Sequence, residues 1–205
     1  MYLSKIEMDL TDSHVRAALR DAQQMHRMMA AILGTARKDS ELLYRYRTQG
    51  TRVQIYLYSS IPVNEKRIRP GMTLSGQRDM AAWLDKMFTG QILGFDLLTM
   101  PFKKVPAEAN RNSRRRVLRS QEERFAWLTR KAEQNGFSLL DVRENTDEKL
   151  YARHGEEKGG ILYLDVYHYT GTLQIKELSA FQRAVETGIG PGKAYGLGMI
   201  MLAER

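Results

Sequence analysis

Apolar and polar positions alternate over residues 2–8, with Ile6 and Met8 on one side and Lys5 and Glu7 on the other. That period-two order predicts a strand. Asp12-Ser13 can cap a helix starting near His14, and Asp21 followed by Gln24 resembles a second capping box. The helix is therefore expected to break and restart, running through His26 to Leu33 before Gly34. Residues 41–47 and 52–59 read as two strands joined at Gln49-Gly50. Met80, Leu84, Met87 and Phe88 have helical spacing, which predicts a helix over 78–88. Residues 91–105 look extended, with Pro101 interrupting them.

The second half repeats the order. Ser120 can cap a helix through Trp127 and Leu128 to about Gln134, stopped at Asn135-Gly136. Residues 137–143 read as a strand. Residues 161–169 and 172–175 read as a hairpin turning near Gly171. A helix over 178–187 and a strand over 196–202 complete the chain. Each half approximates strand, helix, strand, strand, helix, strand. That is the ferredoxin-like plan of an α+β protein with antiparallel sheets, which RNA-recognition (RRM-like) domains share. The boundary is expected near Gly90, giving domains 1–90 and 91–205. The strand near 91–105 is in conflict with this plan, since it must close the first unit and open the second.

Composition changes the picture in two ways. The 205 residues contain no cysteine, so disulfides, Cys-ligated zinc and thiol nucleophiles are excluded. A cysteine-free chain fits a reducing compartment, and the expected location is cytoplasmic. The net charge is +8. Residues 103–131 hold ten cations against three anions, so the remainder is nearly neutral. Localised positive charge of this kind suits nucleic acid. Arg111, Arg114, Arg115 and Arg116 could otherwise be a solvated loop, but guanidinium forks match phosphates and guanine edges. No window approaches the roughly 18 apolar residues of a spanning helix, and no apolar run after Met1-Tyr2-Leu3-Ser4-Lys5 suggests a signal peptide.

His26 is either an exposed or core-edge histidine on an amphipathic helix, or a general acid or base. His14, His154 and His168 are isolated and no HxxxH or HExxH pairing exists, so a histidine-bound metal is not expected. The run Gly188-Ile189-Gly190-Pro191-Gly192-Lys193-Ala194-Tyr195-Gly196-Leu197-Gly198 is not a P-loop. Thr187 stands where its first glycine belongs, and Ala194 where its Ser or Thr belongs. The run is either a helix-to-strand turn or a backbone N–H surface for phosphates, with Lys193 adding charge. Gly155 to Gly160 reads as a solvated hairpin loop. Glu156 and Glu157 are adjacent, so they cannot share a face for paired acid–base work.

Several stretches together resemble one family. They are the Met1–Lys5 start, Met25-His26-Arg27, Arg115-Arg116-Val117, Glu123 to Leu128, Gly136-Phe137 and the glycine run. In this order they are similar to CasE, the CRISPR repeat-processing endoribonucleases of type I-E systems. The resemblance implies two tandem ferredoxin-like domains. It implies a metal-independent cut at the base of the repeat hairpin in precursor CRISPR RNA, with no cofactor. It further implies that the enzyme stays on its product hairpin with the other subunits of Cascade, away from membranes. The family's catalytic histidine maps onto His26. Gln23 stands where some members carry a tyrosine, so an orienting role is implied there. Gly160 stands where a lysine is frequent, which leaves Lys158 as the cation nearby. Residues 96–101 lack an arginine that members tend to carry. The expected RNA contacts are Lys103, Lys104, Arg111, Arg114, Arg115, Arg116, Arg119, Gly190, Gly192, Lys193 and Tyr195. The alternative reading is a catalytically inactive hairpin-binding subunit of a CRISPR effector complex. An RNA-binding protein of similar fold and unrelated role is a third class.

Overall fold

A computed structural model describes residues 1–35, 37–105, 114–153 and 160–204. The first sheet contains β1 (Tyr2–Asp9), β2 (Leu43–Gln49), β3 (Arg52–Ser59) and β4 (Met72–Asp79), in the order β2-β3-β1-β4. The second contains β5 (Ile92–Thr99), β8 (Phe137–Arg153), β9 (Ile161–Ile175) and β10 (Ile200–Glu204), in the order β10-β5-β9-β8. The two orders are equivalent, with the unit's first and third strands paired at the centre. Every pairing is antiparallel. Two tandem ferredoxin-like units result, as the alternation of elements implies. A separate two-stranded ribbon, β6 (Phe102–Val105) and β7 (Arg114–Val117), springs from the second unit.

The helix starts follow from their caps. Asp12 accepts from the backbone N–H of His14 and Val15 at the head of α1 (Ser13–Arg20). Asp21 accepts from Gln23 N–H at the head of α2 (Ala22–Leu33), so the chain breaks and restarts there. A short α3 (Arg37–Ser40) leads into β2. Among the later helices, Ser120 caps α5 (Gln121–Gln134), and α6 (Leu178–Thr187) precedes the glycine run.

Three expectations are corrected. The helix over 78–88 is reduced to one turn, α4 (Ala81–Leu84), because β4 continues through Asp79. Met80, Leu84 and Met87 are buried as their spacing implies, but in a turn of helix and the loop after it. The strand Met72–Asp79 closes the first sheet, so β5 belongs to the second sheet alone and the conflict at 91–105 disappears. Finally, β9 runs unbroken through Gly171, and its hairpin partner is β8. Gly171 marks a close approach: a Cβ there would lie 2.0 Å from the Asp141 carbonyl oxygen, beside the register shift between Leu139 and Asp141. A glycine inside a strand pattern signals such a bulge as readily as a turn.

One apolar cluster joins Leu43, Tyr58 and Met87 to Phe95, Trp127 and Phe181, and so runs across both halves. Polar contacts cross as well. Asp96 on β5 accepts from Arg45 and Arg47 on β2, and His168 Nε2 lies 2.8 Å from Asp96 Oδ1.

Candidate RNA-processing site

His26 lies in the second turn of α2, half-buried at the edge of the core face formed by Met25, Met29 and Ile32. Gln23 lies three residues before it, on the same side of the helix. The head of α2 is tied to the second half, because Asp21 Oδ1 also accepts from the backbone N–H of Arg153, 3.1 Å away on β8. Asp21 is itself buried, so this carboxylate fixes helix and strand together.

The glycine run also packs against α2. Its Lys193–Tyr195 segment is a single 3-10 turn packed against that helix. The Tyr44 hydroxyl donates to the Ala194 carbonyl across 3.0 Å and anchors the turn to the first sheet. Gly188, Gly190, Gly192, Gly196 and Gly198 all have positive φ. At Gly190 a Cβ would also sit 2.6 Å from Thr99 Oγ1 and 3.1 Å from the Trp127 ring. Close packing and backbone conformation therefore account for much of the glycine density. Residues 190–195 are only partly buried, so the loop is accessible there. Burial, and then the charge of Asp21, raises the Tyr195 phenol above its ordinary value.

The basic segment forms the β6–β7 ribbon. Lys103 pairs with Arg116, Lys104 with Arg115 and Val105 with Arg114. The register thus sets two pairs of cationic residues directly opposite one another. Lys103 and Lys104 are exposed. Arg116 meets Glu123 Oε1 at 3.0 Å while staying more than half exposed. Arg119 is exposed, and its carbonyl accepts from Arg124 Nη1. The candidates Arg111 and Lys158 lie outside the described residues, as do His154 and most of Gly155 to Gly160. Gly160 itself has φ +70 with open space around it.

The structure thus brings His26, Gln23, Lys193 and Tyr195 to one helix and its neighbouring loop. It sets Lys103, Lys104, Arg114, Arg115 and Arg116 on a separate ribbon. Sequence reasoning misses a groove of about 490 Å3 beside α2, lined by Arg20, Asp21, Arg27, Tyr151 and Arg153. The spacing of Arg20 and Arg27 around His26 is a usable signal for it, but Tyr151 and Arg153 arrive only through the docking of β8. The segment 96–101, where an arginine is usual, instead supplies Asp96 to the Arg45–Arg47 clamp. Among the described residues no group of three or more His, Cys, Asp or Glu side chains is placed to hold a metal ion. No helix there is long and apolar enough to cross a membrane.

This fold is shared by solved structures of CRISPR proteins. A structure of CRISPR endoribonuclease Cse3 bound to a 19-nucleotide RNA superposes with a TM-score of 0.86 at 24% identity, covering 99% of this chain and 100% of that one. A chain of a CRISPR RNA-guided surveillance complex before nicking gives a TM-score of 0.75 at 23% identity, with both chains covered in full. In sequence, the CRISPR-associated endoribonuclease Cse3 of Thermus thermophilus is 24% identical over 217 residues, 99% of this chain and 100% of its own. The model of the CRISPR associated protein family matches residues 1–204, and the chain belongs to that family.

Proposed function

We propose that this protein is the endoribonuclease that cuts precursor CRISPR RNA at the base of the repeat hairpin. The observation that carries the reading is the packing of the His26 helix against the Lys193–Tyr195 turn. A proton-transfer group and a phosphate-binding loop are thereby held side by side. The full-length match to Cse3, a CRISPR-associated endoribonuclease, supports the same activity.

The reaction is a displacement within the RNA. The 2′-oxygen attacks the adjacent phosphorus, the 5′-oxygen leaves, and the products end in a 2′,3′-cyclic phosphate and a 5′-hydroxyl. His26 moves a proton at one of these oxygens. Tyr195, neutral at physiological pH, can donate a hydrogen bond to a phosphate oxygen. Lys193 and Lys158 supply positive charge as the phosphorane develops. Gln23 orients the phosphate. The β6–β7 ribbon grips the hairpin stem, with Arg111 and Arg119 extending the contact. Nothing in this scheme requires a metal ion or another cofactor. Likeness to a chain of a surveillance complex supports the further reading that the product hairpin stays bound in Cascade.

Product-end analysis tests the chemistry. In EDTA, repeat RNA is expected to yield a 5′-hydroxyl fragment, and a 2′-deoxy sugar at the cut is expected to block the reaction. Cleavage that persists on the 2′-deoxy RNA, or that needs added metal, contradicts this mechanism. Tight hairpin binding without any cut identifies the inactive-subunit alternative.

A further inference from the structure

The groove beside α2 has no role in the scheme above. It combines cations and aromatic surface in one place. Arg20 ends α1, Arg27 follows His26 directly, and Arg153 ends β8. All three line the groove with Tyr151. The one carboxylate among them, Asp21, is already engaged by the N–H groups of Gln23 and Arg153. Three arginines therefore line the groove with a single carboxylate that is itself buried and hydrogen-bonded to backbone.

The second feature is a tyrosine pair. Tyr151 on β8 stands directly opposite Tyr163 on β9. Opposite residues of an antiparallel ladder share a face, and residues two apart on one strand do so as well. Tyr151, Arg153, Ile161 and Tyr163 consequently share one side of the hairpin; Tyr151 and Arg153 line the groove, and Tyr163 stands beside it across the ladder from Tyr151. Tyr163 is 69% exposed, the highest value among the exposed large apolar side chains of the described residues. An aromatic ring held out on a rigid strand beside arginines is the combination that binds unpaired nucleotides. Guanidinium groups take the phosphate, and the ring takes the face of the base. A paired stem cannot offer that face, because its bases are stacked on one another.

We propose that this groove is a subsite for one unpaired nucleotide adjoining the scissile phosphate, with Tyr163 stacking on its base and Arg20 and Arg153 holding its phosphate. The inference rests on the RNA-cleaving reading above. The site would position the RNA strand as it leaves the stem and passes His26. It would also favour uncut RNA over a product that ends at the stem.

The test compares two RNAs of one repeat sequence by equilibrium binding to the full chain. One is the bare hairpin. The other continues through the cut with three unpaired nucleotides and carries a 2′-deoxy sugar at the cut, so that it stays intact. The wild type is expected to prefer the extended RNA. Tyr163→Ala should weaken the extended RNA about tenfold, within the range of one base–aromatic stack, and leave the bare hairpin unchanged. Tyr163→Phe should keep the preference, and Arg20→Ala should reduce both the preference and its salt dependence. An extended-to-bare ratio identical in the wild type and Tyr163→Ala would overturn the subsite while leaving the nuclease reading intact. Failure of the wild type to bind either RNA would overturn both.

Discussion

Asp21 ties the candidate site together with one carboxylate. It starts α2 through Gln23 N–H at 2.9 Å and holds Arg153 of the other half at 3.1 Å. Asp12, Asp21 and Ser120 are all legible in the sequence as caps, since a cap acts on its own neighbours. The Asp21–Arg153 hydrogen bond is not, because it joins residues 132 apart that meet only after the halves dock. The same distinction separates His26, visible on its helix, from the Arg45–Asp96–His168 cluster, which no local pattern encodes. A second buried pair supports the packing of α5 on β8. Arg124 donates to Glu144 at 2.8 and 2.5 Å, and its guanidinium lies 4.2 Å from the centre of the Tyr167 ring. The hydrogen bonds from Arg124 hold the Glu144 carboxyl below its ordinary value, against the opposing effect of burial. A carboxyl depressed in the folded state adds stability above its unfolded value of about 4.3, and that stability is lost as pH falls through the folded value. Denaturant unfolding from pH 7 down to pH 3 should therefore show a steeper acid loss in the wild type than in Glu144→Gln. Near neutrality the variant should be less stable by about 3 kcal/mol, the cost of leaving a buried guanidinium unpaired. Parallel pH profiles would contradict this account of the pair.

At the scale of elements, the sequence pattern succeeds where a face is buried and fails where none is. The core strand β3 alternates cleanly through Val53, Ile55 and Leu57, and it is read correctly. The edge strand β4 buries only Met72 and leaves most of its length exposed, so no alternation betrays it. It exists because its backbone pairs with β1. The apolar spacing just beyond it then mimics a long helix. Gly171 misleads in a related way, since glycine signals turns and bulges alike. The bulge predicts a large effect from a small change. Gly171→Ala would drive a methyl group into the Asp141 backbone, so β8 and β9 must separate locally. Thermal unfolding should show a loss of about 2–3 kcal/mol, in the range of overpacked positions. Gly160→Ala has open space around its Cβ and a strained φ only, so it should cost about 1 kcal/mol. Equal losses at the two sites would refute the close-approach explanation.

For the whole molecule, the +8 charge resolves into an architecture. Two folded units share a core, and most of the surplus charge projects from them on a ribbon of opposed cations. The tandem plan and the basic segment are both legible in the chain. The ribbon's register is not, because its strands carry charge rather than apolar alternation. Replacing Arg114, Arg115 and Arg116 together by Ala should weaken binding to the repeat hairpin. It should also flatten the plot of log affinity against log salt, by about one unit for each phosphate that is no longer neutralised. An unchanged slope would remove the ribbon from the RNA interface. The central claim is that one helix carries the chemistry while the ribbon and loop carry the grip. It is tested most directly by His26→Ala, with cleavage and hairpin affinity measured on the same RNA in EDTA. The account predicts cleavage reduced by at least about 100-fold, the usual scale for losing a general acid or base, with affinity nearly unchanged. Cleavage at the wild-type rate would contradict it.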